Sequence, residues 1–304
     1  MRGVFVDAND SLAEIFERQR RDGDPDVRVH QDPNIKPEQW PAILGGAEIG
    51  VVDHTALPTA IAKRCTGLKH VVFLGTGARS YMNPDELAEL GISVHLIKGY
   101  GDTAVAESAI ALMWASARVL AQMDREMRAG NWLREDAMQL TGKTLGLVGF
   151  GGIAAEVARI AKGAGMRVIA WNRSPKQHPG VEFVPLDRLL ADSDVVSIHL
   201  LLNDETRGFI TREKIAAMRP GVILVNTARG AIVDEAAMIE ALRSGHIRHA
   251  GLDVFNIEPL PKDHPLTKIP NVTLSAHSAF RTPEASENLI HAAWEHCRRV
   301  ARGG

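Results

Sequence analysis

The chain has little of what marks secreted, metal-binding or membrane proteins. Its 304 residues include only two cysteines, Cys65 and Cys297, which are far apart and lack Cys-x-x-Cys spacing. The sequence therefore predicts neither a disulfide framework nor a metal site. Its longest apolar stretch, residues 104–123, is interrupted by Glu107 and Arg118, which argues against a membrane span. Asp7 and Asp10 stand where a signal peptide needs an apolar core. The lack of a signal peptide, a disulfide framework and a membrane span favours a reduced, cytoplasmic protein.

The chain also lacks a large excess of positive or negative charge. The chain has 35 Lys and Arg against 37 Asp and Glu, a net charge of -2, with no long run of either sign. Nucleic acid and anionic membranes are therefore not expected as partners, and a small molecule is. The hydrophobic content of 45% over this length is enough for a large core and favours two domains.

A glycine-rich turn between two apolar strands is the most informative local pattern. Residues 145–149 are typical of a short buried strand, residues 154–162 of a helix, and residues 167–171 of a second strand. The turn itself reads Gly149-x-Gly151-x-x-Ala154. This order is that of the βαβ dinucleotide-binding fingerprint.

Each small residue of that turn has a physical role. Gly149 permits the tight turn, Gly151 lets the backbone approach a pyrophosphate, and Ala154 lets the helix pack against the strand. Free N–H groups at the helix start favour bound phosphate. We predict a dinucleotide site that includes Gly149, Gly151, Gly152 and Ile153; the alternative is a βα turn that binds no phosphate.

The residues after the second strand bear on which dinucleotide binds. An NAD site usually has Asp or Glu there, which holds the ribose 2′-hydroxyl, but this chain has Asn172. Loss of the carboxylate removes repulsion against a 2′-phosphate, and Arg173 can pair with that group. The pattern favours NADP(H) over NAD(H), with Asn172, Arg173 and Ser174 at the cofactor. The alternative is that Arg173 and Lys176 belong to a solvated turn.

The first hundred residues alternate strand and helix. Strands are predicted at 4–6, 27–29, 49–52, 70–73 and 93–96, and helices at 11–21, 58–64 and 84–90. The alternation indicates a parallel sheet covered on both faces, as in a small flavodoxin-like domain.

A second glycine turn follows the fourth of these strands. Open α/β sheets bind ligands at the carboxyl ends of their strands, so backbone N–H groups here can receive a substrate carboxylate. The predicted donors are Gly75, Thr76, Gly77 and Ala78. An ordinary strand-end turn is the alternative.

Residues 103–128 are predicted to form one long helix with apolar residues on more than one face. Such a helix needs burial on several sides, which a position between domains or against a second subunit would provide. Beyond the fingerprint, strands are predicted at 195–198, 222–225, 250–253 and 272–274, with a helix over 234–243.

Three of these later strands are followed by residues suited to acid–base chemistry: Arg229, Glu258 and His277. Reduction of a carbonyl needs a proton donor at oxygen, which His supplies near neutral pH. Glu258 would fix the ring tautomer and favour the imidazolium, and Arg229 can bind a planar carboxylate through two hydrogen bonds. Alone, Arg229 could form a structural ion pair, Glu258 could be a solvated loop carboxylate and His277 could be an ordinary surface or core histidine. Together the three residues favour hydride transfer to a 2-keto acid.

The chain resembles the D-isomer-specific 2-hydroxyacid dehydrogenases. The matching segments run in the family's order, at residues 104–107, 146–153, 226–230 with Asp234, 251–255 with Glu258-Pro259, and 275–277. The resemblance implies that Arg229, Glu258 and His277 are catalytic and that the Gly75 to Ala78 turn binds the substrate carboxylate. Thr227 and Asp253 are assigned to the cofactor site.

The resemblance also implies the architecture: α/β, with two Rossmann-like or flavodoxin-like domains whose parallel sheets are flanked by helices. Residues 1–100 plus 283–304 would bind substrate and residues 101–282 the dinucleotide, with the active site in the interdomain cleft. The long helix would help to form a homodimer. Because the chain ends at Gly304, the regulatory domain of many phosphoglycerate dehydrogenases is expected to be absent.

Some positions depart from the family pattern. Asp102 stands where Asn is common, and Leu201 and Ala276 stand where Pro is common. Asp102 leaves substrate choice open. We predict a glyoxylate or hydroxypyruvate reductase.

D-3-Phosphoglycerate dehydrogenase activity is one alternative, for which Arg79 or Arg281 can supply the extra cation. A nucleotide-sensing binding protein with little turnover is another. The intact Arg, Glu and His set argues against it, because sensing alone needs no proton donor.

Overall fold

Strands and helices alternate through most of the chain, as the sequence pattern predicts. The structure is a computed structural model that describes residues 1–303. The chain divides into two compact units: one comprises Met1–Gly101 and the segment that begins at Arg281, and the other comprises Asp102–Phe280. Each unit is built around its own parallel sheet.

The first unit contains a five-stranded sheet. Its strands are β1 (Arg2–Phe5), β2 (Asp26–Val29), β3 (Ile49–Val52), β4 (His70–Phe73) and β5 (Ser93–Leu96). They are all parallel and lie in the order β2-β1-β3-β4-β5, which is the flavodoxin-like order. The strand predictions for this half of the chain are confirmed to within one or two residues.

Five helices belong to the first unit. They are α1 (Asp10–Arg18), α2 (Trp40–Leu44), α3 (Thr59–Ala62), α4 (Pro84–Glu89) and, from the end of the chain, α11 (Pro283–Ala301). The Trp294 ring of α11 stacks on Phe16 of α1 at 4.3 Å between centroids, and Trp294 Nε1 donates to the Phe16 carbonyl at 2.9 Å. These contacts join the carboxyl-terminal helix to the first unit.

The second unit contains a seven-stranded parallel sheet. Its strands are β6 (Thr144–Val148), β7 (Arg167–Trp171), β8 (Glu182–Phe183), β9 (Val195–Ile198), β10 (Val222–Asn226), β11 (Ile247–Leu252) and β12 (Val272–Leu274). Their order, β12-β11-β10-β9-β6-β7-β8, is the doubly wound Rossmann order with one added edge strand.

The helices of the second unit after the glycine turn are α7 (Gly152–Gly163), α8 (Leu186–Asp192), α9 (Arg212–Ala216) and α10 (Glu235–Ser244). Helix α10 begins at its cap Asp234, whose carboxylate accepts from the Ala237 N–H at 3.0 Å. It ends at Gly245, which has the left-handed φ of 79° that a helix C-cap of this type requires. The sequence pattern did not predict α8, α9 or β8, which are short.

The prediction of one helix over 103–128 was wrong. The structure has two, α5 (Asp102–Ala117) and α6 (Leu120–Arg128), which meet at an angle of 64°. The break is at Val119, whose φ of 55° is left-handed, and the Ala117 carbonyl accepts from the Met138 N–H at 2.8 Å. Within residues 1–303 no single helix is long and apolar enough to cross a membrane. Only the bent pair α5 and α6, taken together, has the length and apolar composition of a membrane span.

The several buried faces of α5 are covered by its own unit. Helix α5 packs against α7 and against strands β10 and β11. A side chain on Gly251 of β11 would have its Cβ 2.9 Å from the Leu112 Cβ of α5, so the glycine permits this close approach. The buried apolar residues of α5 therefore pack within their own unit.

A buried histidine in this sheet makes the fold sensitive to acid. His249 of β11 is 2% exposed, its Nε2 lies 3.0 Å from Thr273 Oγ1, and burial, with nearby Arg125 and Arg248, lowers its pKa to about 4. In the unfolded chain the His249 imidazole takes up a proton near pH 6.5, whereas in the folded protein it stays neutral down to about pH 4. The contribution of neutral His249 to folding stability is therefore complete above pH 6.5 and is lost as pH falls towards 4.

We expect His249 to account for about 2 kcal/mol of the unfolding free energy lost between pH 7 and pH 5. Urea unfolding at the two pH values measures this loss. H249Q should show a smaller loss than wild type, whereas H291Q, which replaces an exposed histidine, should match wild type. Equal pH dependence in H249Q and wild type would contradict the assignment.

Candidate active site

The three predicted acid–base and anion-binding residues follow three neighbouring strands. Strands β10, β11 and β12 are parallel and adjacent, so their carboxyl ends share one edge of the sheet. Arg229, Glu258 and His277 follow them in that order. Gly230 brings the first two loops together, because a Cβ there would overlap the Phe255 carbonyl group.

His277 and Glu258 form a direct pair. The His277 Nδ1 atom lies 2.6 Å from Glu258 Oε2, while Glu258 Oε1 accepts from the Phe255 N–H at 2.9 Å. The carboxylate is thus fixed on one side and holds the imidazole on the other. Because Nδ1 is engaged, Nε2 is the ring nitrogen left for a ligand.

The backbone of His277 is held in an uncommon conformation by Asp253. His277 has a φ of 49°, in the left-handed region that costs a non-glycine residue about 1 to 2 kcal/mol. The Asp253 carbonyl accepts from the His277 N–H at 2.8 Å. The Asp253 carboxylate, which is buried, accepts from the Ser275 hydroxyl at 2.5 Å and from the N–H groups of Ser278 and Ala279 at 3.0 Å.

From the sequence, Asp253 is predicted at the cofactor site, and its local context does not indicate this anchoring role. The signal available was an acidic residue at one strand end and a Ser-x-His-Ser segment at another, but only the strand order makes them neighbours. Contact of Asp253 with a dinucleotide stays a prediction.

Arg229 is placed by a buried asparagine. Asn226, at the end of β10, accepts from the Ala228 N–H at 2.9 Å and donates to the Arg229 carbonyl at 3.0 Å. The Arg229 side chain is half-buried, and its Nη1 donates to the Ala228 carbonyl at 2.6 Å. One edge of the guanidinium is therefore anchored, and its other N–H groups can donate to a ligand.

The glycine turn has the geometry that dinucleotide phosphates need. Gly149 has a φ of 89°, and a Cβ on it would lie 2.8 Å from the His199 carbonyl oxygen. A Cβ on Gly151 would have no atom within 4 Å, so the backbone there faces open space. Helix α7 starts at Gly152 with no side-chain cap, which leaves its first N–H groups to an anion. The Ile153 side chain packs on the core of this unit.

The residues after β7 are tied to the glycine turn. Asn172 Oδ1 accepts from the Phe150 N–H at 3.2 Å, and Asn172 Nδ2 donates to the Ser174 carbonyl at 2.8 Å. Lys176 Nζ donates to the Phe150 carbonyl at 2.5 Å. Arg173 is paired with Glu205 on the surface, with its side chain 74% exposed. Lys176 is thus a structural contact of the turn, whereas Arg173 is solvated.

Thr227 contributes an unsatisfied hydroxyl at the end of β10. The side chain is 8% exposed, and its Oγ1 has no hydrogen-bond partner within residues 1–303. Buried polar atoms are normally satisfied, so this hydroxyl fits a place where a bound ligand completes the hydrogen bond. Together with the open face of Gly151, it makes the residues present compatible with a dinucleotide.

In the first unit, one of the four predicted carboxylate donors already has an acceptor. The Gly75 N–H donates to the Phe73 carbonyl at 2.8 Å, and contact of Gly75 with a substrate stays a prediction. The N–H groups of Thr76, Gly77 and Ala78 have no acceptor within residues 1–303. These three amides remain candidates.

The sequence model of a known family matches this unit. Residues 110–279 match the family described as D-isomer specific 2-hydroxyacid dehydrogenase, NAD binding domain. This match covers the glycine turn and the three residues Arg229, Glu258 and His277.

Curated relatives extend the similarity over most of the chain. Glyoxylate reductase of Korarchaeum cryptofilum is 40% identical over 238 residues, covering 74% of this chain and 72% of that protein. Hydroxypyruvate reductase of Thermotoga maritima is 37% identical over 263 residues, covering 84% and 85%. D-3-Phosphoglycerate dehydrogenase of Archaeoglobus fulgidus is 37% identical, but this chain spans only 49% of its length.

Solved structures are similar over the full chain. The TT0316 protein of Thermus thermophilus superposes with a TM-score of 0.87 at 34% identity, covering 100% of this chain and 97% of that one. An acyclic imino acid reductase in complex with NADPH and D-Arg superposes with a TM-score of 0.88 at 28% identity, covering 100% and 98%.

Proposed function

This chain belongs to the D-isomer specific 2-hydroxyacid dehydrogenases, nicotinamide-dependent enzymes that act on CH–OH groups, and we propose that it reduces glyoxylate or hydroxypyruvate. The observation that carries the mechanism is the 2.6 Å contact between His277 and Glu258, whose carboxylate is itself fixed by the Phe255 N–H. This pair provides an oriented proton donor at the edge of the sheet.

A bound nicotinamide dinucleotide supplies the hydride that is added to C2 of the keto acid. His277 gives the carbonyl oxygen its proton from Nε2, while Glu258 stabilises the imidazolium through Nδ1. Arg229 binds the substrate carboxylate through its N–H groups, and its positive charge polarises the neighbouring carbonyl group of the substrate. Within the first unit, the amides of Thr76, Gly77 and Ala78 are separately proposed as donors to a carboxylate. The product is a 2-hydroxy acid, and oxidation in reverse starts from neutral His277.

The choice of substrate rests on the relatives. The curated relatives named for glyoxylate and hydroxypyruvate are covered by this chain over 72% and 85% of their lengths, whereas the phosphoglycerate dehydrogenase is covered over 49%. Arg79, which is paired on the surface with Asp85 at 2.8 Å, and Arg281 are the candidate cations for a phosphorylated substrate. We favour an unphosphorylated keto acid over 3-phosphoglycerate because of the relatives.

The direct test is oxidation of NADPH and NADH, followed by absorbance, with glyoxylate, hydroxypyruvate, pyruvate and phosphohydroxypyruvate as separate substrates. Turnover with glyoxylate or hydroxypyruvate is the expected result. Faster turnover with phosphohydroxypyruvate would assign the phosphorylated substrate, and dinucleotide binding with no turnover on any keto acid would favour the sensing role.

We propose NADP(H) as the preferred coenzyme. Asn172 stands where a carboxylate would repel a 2′-phosphate, and exposed Arg173 can exchange Glu205 for that phosphate because surface ion pairs are weak. A similar structure, the imino acid reductase, holds NADPH.

N172D should therefore shift the NADPH to NADH ratio of kcat/KM towards NADH by about tenfold, since the new carboxylate repels the 2′-phosphate and accepts from the 2′-hydroxyl. R173Q should lower kcat/KM for NADPH and leave that for NADH unchanged. Steady-state kinetics with both coenzymes measure these ratios. If the NADPH to NADH ratio of kcat/KM in both N172D and R173Q equals that of wild type, the proposed preference for NADP(H) is wrong.

We also propose that the protein is a homodimer located in the cytoplasm. Helix α6 and the segment after it expose Leu120, Met127 and Trp132, the last at 77%. Large exposed apolar side chains on one segment are typical of subunit contacts. A solution mass of one chain by light scattering would contradict the dimer.

A further inference from the structure

Asp102, the first residue of α5, lies directly against the glycine turn. A Cβ on Gly152 would overlap the Asp102 carboxylate, so the carboxylate occupies the space next to the start of α7. Gly151, one residue earlier, faces open space. The negative group and the proposed phosphate-binding backbone are therefore immediate neighbours in the same unit.

This carboxylate has no partner. Within residues 1–303 it makes no hydrogen bond and no ion pair, although the residue is half-buried. The charged group that acts on it is Glu156 of α7, which has the same sign and is itself paired with Arg159 at 2.9 Å. Burial and the Glu156 charge both raise the pKa of Asp102. The N-termini of α5 and α7 are the favourable partial charges near this carboxylate, but no cationic side chain is paired with it within residues 1–303. A half-buried carboxylate without a paired cation, next to a proposed phosphate site, points to a role at that site.

We propose that Asp102 weakens the binding of dinucleotide phosphate at the glycine turn and thereby speeds release of the coenzyme. The inference rests on the proposed function, because it needs a nicotinamide dinucleotide bound at Gly149 to Ile153. The ionised carboxylate opposes the two negative charges of the pyrophosphate, whereas the start of α7 attracts them. Asp102 acts on the coenzyme through charge and takes no part in the proton transfer at His277.

The variant D102N removes the charge and keeps the shape of the side chain. One elementary charge acting on two phosphate charges in a water-like medium corresponds to about a tenfold change in Kd. D102N should therefore bind NADH, NADPH and ADP-ribose about tenfold more tightly than wild type at pH 8, and adenosine with unchanged affinity. Its rate of coenzyme release should fall.

D187N is the matched control. Asp187 lies in the first turn of α8 in the same unit and is exposed, so the variant removes one negative charge at a helix start away from the glycine turn. D187N should bind NADH as wild type does. Titration calorimetry gives each Kd, and stopped-flow displacement gives the release rate.

Equal Kd values for NADH in wild type and D102N would overturn the role of Asp102 and leave the proposed function intact. The same holds if D187N gains as much affinity for NADH as D102N does. If D102N does not fold, D102S is the second variant that removes the charge, and a wild-type Kd for NADH in D102S overturns the role of Asp102. Absence of any dinucleotide binding by wild type would instead overturn the proposed function.

Discussion

Replacement of His277 by alanine is expected to lower kcat for keto-acid reduction by about 10²- to 10⁴-fold, the usual contribution of a positioned acid–base group. The loss should appear in kcat, because the imidazole gives up its proton in the chemical step and contributes little to coenzyme binding. Steady-state kinetics with glyoxylate or hydroxypyruvate measure the effect, and the Kd for the dinucleotide should stay at the wild-type value.

Two further variants separate chemistry from structure. His277 has a left-handed backbone, which asparagine tolerates better than alanine, so H277N tests whether the loss is merely a distorted turn. H264A removes a second His–carboxylate pair, in which His264 Nε2 lies 3.3 Å from Glu235 Oε1. H277N should be as inactive as H277A, and H264A should keep its turnover. Near-normal kcat in H277N would exclude His277 as the proton donor.

R229Q is expected to lower kcat/KM for the keto acid by about 10²- to 10³-fold. Arg229 is the half-buried cation at this edge, and a glutamine in its place offers neither the charge nor the fork of N–H groups that matches a carboxylate. The KM for the keto acid should rise and kcat should fall, while the KM for the coenzyme stays constant.

R229K serves as the comparison for this prediction. Lysine restores the charge but not the two parallel hydrogen bonds, so it should recover only part of the loss. Full activity in R229K would mean that charge alone is needed at this position. Wild-type kinetics in R229Q would place the substrate carboxylate elsewhere, for example at the amides of Thr76, Gly77 and Ala78.

The anchoring of His277 explains why its conformation was not predictable from its neighbours. Ser275, Ser278 and Ala279 all donate hydrogen bonds to the carboxylate of Asp253, which directly follows a different strand, β11. A pattern search assigns Asp253 to a strand end and His277 to a loop, and it contains no information on the contact between them. The contact exists because β11 and β12 are adjacent and parallel.

Asp102 is a comparable case. In the sequence it is one unusual residue before an apolar helix, which leaves its effect open. In the structure it lies against Gly152, because α5 packs on α7. The consequence concerns coenzyme affinity, which the residue's local context does not indicate.

The sequence by itself determined most of the strands and the candidate residues of the site. Alternating apolar strands and helices predicted two parallel sheets, the spacing Gly149-x-Gly151 predicted helix α7 to within two residues of its start, and the strand ends gave the candidates Arg229, Glu258 and His277. These features are local, since periodicity, glycine φ angles and strand-end positions depend on a few neighbouring residues.

Only the tertiary structure decided how distant segments meet. It bent the expected long helix at Val119, and it placed Asp253 against the segment that holds His277 and Asp102 beside Gly152. Each of these outcomes depends on packing or hydrogen bonding that the local pattern does not contain. Strand order and helix packing bring such groups together, and the free energy of the whole fold stabilises conformations that the local chain does not favour.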